Sequence, residues 1–435
     1  MTYEEACAYI EGLVKFTAKH SVDHTRTCLD RLGNPDRGFS SIHIAGTNGK
    51  GSVSAFLAAV LKRTGKRTGL FTSPHLIRVN ERMRIGGREI PDGDFLAIFE
   101  KVRTVSLQME AEGMGHPSYF EFLFLMAMVW FAKEGVDVAV IETGLGGRLD
   151  ATNALEKPCL TIITAIGLDH TQYLGTTIRE IAGEKAGIIK PYVPCVYLAD
   201  QKEVTAVIAD RAAALKAPAY PLTDQMWQAK RREDGKIDFF TSFRYDGIRE
   251  YHTSSPAVYQ AENGALAVLG LKVLRESDPK NWRVLTGKCL KEGIASMTWR
   301  GRMEEIRPHI WLDGAHNDNG IRCFLETAEE ITKGRPAGLL FAVVRDKEFS
   351  DMIRDLATAI SWDYVVVAEV GGQRRTDPED LAELFHEAGV RRVFAVKDPE
   401  EAFEQAVRMQ GERDLFVCGS LYLIGKIEGM FHDQL

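Results

Sequence analysis

The chain has 435 residues, 45% of them hydrophobic and 26% charged, so it can bury a sizeable core and is not disordered. That length predicts two domains, with three as the alternative. A formal net charge of −7 argues against a general nucleic-acid binder, which would carry a basic excess, so any anionic ligand must meet a local cluster of Lys, Arg and backbone N–H groups.

The N-terminal "MTYEEACAYIEGL" is acidic and amphipathic rather than basic and then apolar, and no apolar run reaches about 18 residues. A soluble cytoplasmic protein is expected, with no membrane and no nucleic-acid partner. Strands are predicted at 42–45, 68–71, 136–141, 160–165 and 195–198, with helices such as 51–64 and 120–133 between them. This alternation is that of a parallel α/β sheet. Residues 236–254 alternate in polarity and turn at Asp246-Gly247, which predicts a hairpin. Helices near 257–275 and 281–296 follow. A second α/β series then has strands near 309–313, 338–344, 364–369, 392–396 and 414–418, with a domain boundary near residue 297. The cysteines (Cys7, Cys28, Cys159, Cys195, Cys289, Cys323, Cys418) form no C-x-x-C pair, as expected of reduced thiols.

The stretch "SIHIAGTNGKGSVS" (41–54) takes an apolar strand through a glycine-rich loop into a helix. It departs from G-x-x-x-x-G-K-[ST], because Gly51 follows Lys50 and the hydroxyl arrives only at Ser52. The context nevertheless points backbone N–H groups at the loop, where phosphate is the natural occupant. Lys50 would neutralise phosphate oxygens, and Ser52 could reach magnesium. Glu142 closes one apolar strand, and Asp169 and His170 follow another, so both places are candidates for a hard cation at the carboxyl ends of strands.

In "TTIREIAGEKAGIIK" (176–190), Thr177 and Glu180 make a capping-box pattern, and Ile178, Ile181, Ala182 and Ile189 define an apolar face. Lys185 projects from the middle of that face. A buried ammonium is costly unless paired or neutralised, so this lysine either snorkels, pairs with a carboxylate, or is kept for chemistry or a metal. Later, "LDGAHNDNG" (312–320) and "VCGSLYLIGK" (417–426) each run from a strand through a small-residue turn into a helix. Either could bind an anion or be purely structural.

Taken together, "LGNPDRGFSSIHIAGTNGKGS", "FTSPHLIRVNERMRI", "SYFEF", "ETGLGGRLDATN", "IGLDHTQYLGTTIREIAGEKAGIIK", "GRMEEI", "LDGAHN", "VRDKEF" and "VCGSLYLIGKI" occur in the order found in the folylpolyglutamate synthase and dihydrofolate synthase family, which belongs with the Mur ligases. The chain resembles that family over nearly its whole length, and the family's phosphate loop, G-T-N-G-K-G-[ST], accounts for Gly51. The resemblance implies a P-loop-type parallel-sheet ATPase domain at 1–297, carrying the folate site, and a smaller Rossmann-like α/β glutamate-ligase domain at 298–435. It implies ATP-dependent amide formation, in which L-glutamate is added to a folate through an acyl phosphate with release of ADP and phosphate. Dihydropteroate is left open as a second acceptor, and a monomer is expected.

By the same resemblance, Asn48, Gly49, Lys50, Gly51 and Ser52 hold ATP with Asn263, Arg302 and Asp313. Ser52, Ser73, Glu142 and His170 hold magnesium, and Lys185 matches a lysine carried as a carbamate. Phe120, Glu121, Leu149, Asp150 and Ala151 match segments beside the pterin substrate, with His316 and Ser420 toward glutamate. Two departures stand out: Asp318 is found where the family commonly has proline, and the usual proline-arginine segment appears only as "VGGQRRTD" (370–377). A Mur-type ligase of a nucleotide-linked cell-wall precursor would share the loop and the lysine, but would be expected to add a uridine-nucleotide domain at the N-terminal side. A nucleotide-dependent switch would bind ATP without making an amide.

Overall fold

The computed structural model describes residues 1–14, 20–243, 247–345 and 349–432. Asp246 of the expected turn, and Asp346, Lys347 and Glu348 of "VRDKEF", lie outside the described residues. The chain divides into two compact units. The first comprises Met1–Gln228, Phe239–His252 and Glu262–Met297, and the second Ala229–Asp238, Thr253–Ala261 and Thr298–Leu435.

In the first unit, β1 (Ser40–Ala45), β2 (Thr68–Phe71), β3 (Met83–Ile85), β4 (Arg88–Glu89), β5 (Val138–Glu142), β6 (Leu160–Ile163), β7 (Cys195–Leu198) and β8 (Ala219–Leu222) form one sheet of order β4-β3-β2-β5-β1-β6-β7-β8. Six strands, β2 to β8 in that order, run parallel, while β3 and β4 pair antiparallel at the edge. Ile42, His43 and Ile44 of β1 are all buried, as expected of a parallel strand covered on both faces. One cover is helix Tyr119–Lys133, whose residues from Glu121 to Phe131 are all buried. It is apolar all round because it lies inside a core and not because it meets lipid. Among the described residues no helix is long and apolar enough to cross a membrane.

Strands β9 (Trp227–Arg231), β10 (Ile237–Phe243) and β11 (Gly247–His252) form a three-stranded sheet of order β11-β10-β9. In the second unit, β12 (Arg302–Arg307), β13 (Ile310–Asp313), β14 (Ala337–Phe341), β15 (Trp362–Ala368), β16 (Val393–Val396) and β17 (Leu415–Cys418) are ordered β12-β13-β17-β14-β15-β16. All pair parallel except β12, which runs antiparallel to β13. The chain is thus a two-unit α/β protein.

Three expectations need correction, the first being the strand predicted near 338–344, which ends at Phe341. The helix predicted over 281–296 is two pieces, Pro279–Trp282 and Gly287–Ala295. Thr286 restarts the helix by accepting a hydrogen bond from the Cys289 N–H, a cap that breaks any continuous helix there. The strand predicted over 160–165 stops at Ile163. Beyond it the chain serves the loop after β1: the Ala165 carbonyl accepts the Thr47 and Asn48 N–H groups, and the Thr164 hydroxyl donates to the Asn48 carbonyl at 2.6 Å.

Candidate active site

The strand order β2-β5-β1-β6 brings four carboxyl ends side by side, with Ser73 just past β2, Glu142 as the last residue of β5, the 46–52 loop after β1 and the 164–170 segment after β6. Helix Lys50–Arg63 starts at Gly49, which has φ 85° and no side chain with which to cap the first turn. Its N–H groups are therefore available to an anion. Two glycines make the loop possible. A Cβ on Gly46 would lie 1.8 Å from the Thr164 Oγ1, and one on Gly49 would lie 2.4 Å from the Asn263 Oδ1, in a left-handed backbone that disfavours any side chain. Asn263 is thereby placed against the loop, and it is buried.

The Gly46 carbonyl is where the two singled-out lysines meet. Lys50 donates from Nζ to the Gly46 and Thr47 carbonyls, both at 3.0 Å. Lys185 donates to the same Gly46 oxygen at 2.7 Å. Lys185 lies in helix Ile178–Ala186, whose capping box between Thr177 and Glu180 forms as the sequence pattern indicates. The lysine is only 3% exposed, which excludes snorkelling.

Ser52 is buried in the first helical turn. Glu142 is buried at the end of β5, and its Oε2 accepts the Ser73 N–H at 3.2 Å. His170 sits in a left-handed backbone (φ 50°), with its N–H donating to Asp169 Oδ1. Two hydroxyls, a carboxylate and an imidazole in these positions are a donor set a magnesium ion can use, the oxygens being of the hard type it prefers.

On the substrate-matched side, Phe120 packs on Phe71 with centroids 5.6 Å apart. Glu121 closes the capping box of its helix by accepting the Ser118 N–H. Asp150 folds the 144–152 loop onto itself: Oδ2 accepts the Gly144 and Leu145 N–H groups, and Oδ1 accepts the Thr152 N–H and hydroxyl. Ala151 is buried, while Leu149 is exposed.

Behind this loop, His43 shares a 2.7 Å hydrogen bond with the Thr152 hydroxyl. Because that hydroxyl donates to Asp150, the ring must donate from Nε2. Burial, reinforced by the nearby charge of Lys190, pushes its pKa down to about 3. Between the unfolded value near 6.5 and about 3, only the unfolded chain takes up this proton, so stability falls as pH falls through that window, by up to about 1.4 kcal/mol per pH unit. His43→Gln should remove that slope. A stability difference between variant and wild type that stayed constant from about pH 7 to about pH 4 would contradict the assignment.

In the second unit, Arg302 and Asp313 are paired across β12 and β13. Asp313 Oδ2 accepts the Tyr259 hydroxyl at 2.6 Å and the Met303 N–H at 2.9 Å, and Oδ1 accepts the Ala315 N–H. Burial raises the Asp313 pKa, while Arg302 and these hydrogen bonds pull it down. His316 Nδ1 meets the Gly314 carbonyl at 2.7 Å. Ser420 follows β17, the neighbour of β13, and the Gly419 N–H donates to the Ala315 carbonyl. Asp313, His316 and Ser420 are thus gathered at adjacent strand ends. Thr164 and Tyr259 are contributors that the sequence reading did not single out. The one available signal was that Thr164 is the first residue after the apolar run of β6.

Residues 301–421 match the model of the Mur ligase glutamate ligase domain family. The dihydrofolate synthase/folylpolyglutamate synthase of Bacillus subtilis is 33% identical over 433 residues, covering 98% of each chain. The solved Mycobacterium tuberculosis folylpolyglutamate synthase complexed with ADP superposes with a TM-score of 0.89 at 28% identity, over 99% of this chain and 98% of that one. An FPGS–AMPPCP–folate complex gives 0.85 at 31% identity, over 99% of this chain and 100% of the other.

Proposed function

Because the chain belongs to the folylpolyglutamate synthase/dihydrofolate synthase family, we propose that it joins L-glutamate to a folate at the expense of ATP, with dihydropteroate as a second acceptor to be tested. The observation that carries this reading is the convergence of Lys50 and Lys185 on the Gly46 carbonyl, at the head of a helix with no side-chain cap. A carboxylate oxygen of the folate attacks the γ-phosphorus of ATP, the bond to the ADP oxygen breaks, and an acyl phosphate forms. The glutamate nitrogen then attacks the acyl carbon, phosphate leaves, and the amine loses a proton.

Two anions must approach in the first step, so Lys50 and the loop N–H groups serve to offset charge in transit. Ser52, Ser73, Glu142 and His170 would hold magnesium, which supplies further neutralisation of phosphate charge. Asn48, Gly49, Gly51 and Asn263 would line the nucleotide, joined by Arg302 and Asp313. Phe120, Glu121 and the 149–151 segment would face the pterin. A cytoplasmic setting fits, since all seven cysteines are free thiols, and we take the working form to be a monomer.

Phosphate release that depends on both glutamate and a folate, with the product identified by mass, tests the reading. Release that persists without glutamate would favour a switch, and use of a cell-wall precursor in place of folate would favour the other ligase class. Within this scheme, His316→Ala and Ser420→Ala should each raise the KM for glutamate by about tenfold or more while leaving that for ATP within about twofold. A change confined to ATP would move both residues to the nucleotide.

A further inference from the structure

We propose that His20, His24 and Glu121 form a metal site of the zinc class in the first unit, separate from the phosphate loop and sharing Glu121 with the segments matched to the pterin substrate. His20 stands just before Ser21, whose hydroxyl caps helix Val22–Arg31 by accepting the His24 N–H. The cap brings the two imidazoles together, stacked with centroids 4.1 Å apart and planes 19° apart. Glu121 arrives from the first turn of helix Tyr119–Lys133, where Oε2 accepts the Ser118 N–H at 2.7 Å and meets His20 Nδ1 at 2.9 Å. One donor atom from each of the three residues lies within 4.8 Å of the others.

The His24 ring shows why the cluster is incomplete as it stands. Its Nε2 faces the Gly115 carbonyl at 3.2 Å. A carbonyl can only accept, so Nε2 carries the hydrogen and the neutral ring presents a lone pair at Nδ1. That Nδ1 is buried and has no hydrogen-bond partner among the described residues. A buried acceptor with no donor is costly, and a cation satisfies it. The hydrogen bond from the far ring nitrogen to a backbone carbonyl is also the arrangement that fixes a ligating histidine's tautomer.

Two imidazole nitrogens and one carboxylate oxygen suit zinc and neighbouring late first-row ions, whereas magnesium and calcium prefer all-oxygen sets. Ligand bonds of about 2.0 Å imply tetrahedral edges of about 3.3 Å, so the donors close by no more than about 1.5 Å, and the partly exposed His20 ring turns out of its stack on His24 so that the ion lies in the plane of both rings. The ion binds His20 through Nδ1 of the neutral ring, whose single hydrogen is then carried on Nε2. Glu121 stays an anion, and nothing is oxidised or reduced. Three protein ligands leave a fourth position for water.

The site does not rest on the ligase reading, because binding is measured without substrates. The full chain, stripped with a chelator, is titrated with Co²⁺ alone and then with Zn²⁺. One Co²⁺ per chain with the strong visible bands of four-coordination, displaced by one Zn²⁺, is expected. The dissociation constant should rise at least about tenfold in His24→Gln, which retains an amide donor for the Gly115 carbonyl. If that variant does not fold, the partly exposed His20→Asn should show the same loss. Equal affinity in wild type and a folded variant would overturn the site. So would a thiolate-to-cobalt charge-transfer band, or a folded wild-type chain that takes up no ion at micromolar concentrations.

Discussion

Lys50→Ala is expected to lower the turnover number for glutamate addition by at least about 10³-fold while the folded chain remains. The magnitude comes from what the ammonium is asked to do. In the structure it is held back over the loop by the Gly46 and Thr47 carbonyls, beside N–H groups that an anion would meet. Removing one preorganised donor from such a site costs about 2.7–4 kcal/mol of transition-state stabilisation, and a charged group acting on a transferring phosphoryl contributes 10³–10⁵. The stability cost is small by comparison. Lys50 is only partly buried, and the Gly46 carbonyl keeps its hydrogen bond from Lys185 once the Lys50 side chain is gone. Steady-state rates at saturating folate, glutamate and ATP, alongside thermal unfolding, separate the two effects. A variant with normal unfolding and a turnover number within about tenfold of wild type would remove Lys50 from the chemistry.

How far the sequence reached depended on whether an interaction is local. Strands β2 and β7 coincide with the expected segments, because each is a short apolar run bounded by turn residues. The misfit of Lys185 on an apolar face was equally legible, since helical spacing alone places it beside Ile181 and Ala182. Strand β12 escaped notice because "RMEEIR" is an edge strand in which four of six positions are charged, which leaves no apolar run to find. The contacts that shape the site escaped for a different reason. The Tyr259 hydroxyl reaches Asp313 across 54 positions and the Thr164 hydroxyl reaches the Asn48 carbonyl across 116, so neither has a local pattern. The orphaned nitrogen of His24 depends on the carbonyl of Gly115, 91 residues away. Motif likeness could mark residues for a role, but only the sheet order places Ser73, Glu142 and the 46–52 loop at neighbouring strand ends.

Lys185→Ala should abolish measurable glutamate addition, and Lys185→Arg should do the same. Both ammonium groups lie within 3.0 Å of one oxygen, that of Gly46, and therefore within about 6 Å of each other. At an effective dielectric constant of about 20, two positive charges at that separation repel by roughly 3 kcal/mol. Burial of Lys185 adds a desolvation cost for its charged form. Carbon dioxide adds only to a neutral amine, so the conditions that penalise the ammonium favour a carbamate: the nitrogen bonds to the carbon, one proton leaves, and an anion results. The remaining N–H can still donate to the Gly46 carbonyl, while the repulsion with Lys50 becomes attraction. The carbamate oxygens would also suit the hard cation that Glu142, Ser73 and His170 are proposed to hold. Arginine keeps its charge at any accessible pH and cannot take up carbon dioxide, so a variant that preserves positive charge separates the two roles. Acetate should restore part of the Lys185→Ala activity by supplying a carboxylate in the vacated space, and removing bicarbonate should slow the wild type. Full activity in Lys185→Arg, or a wild-type rate indifferent to bicarbonate together with a side chain of unmodified mass, would show that the lysine works as an ammonium.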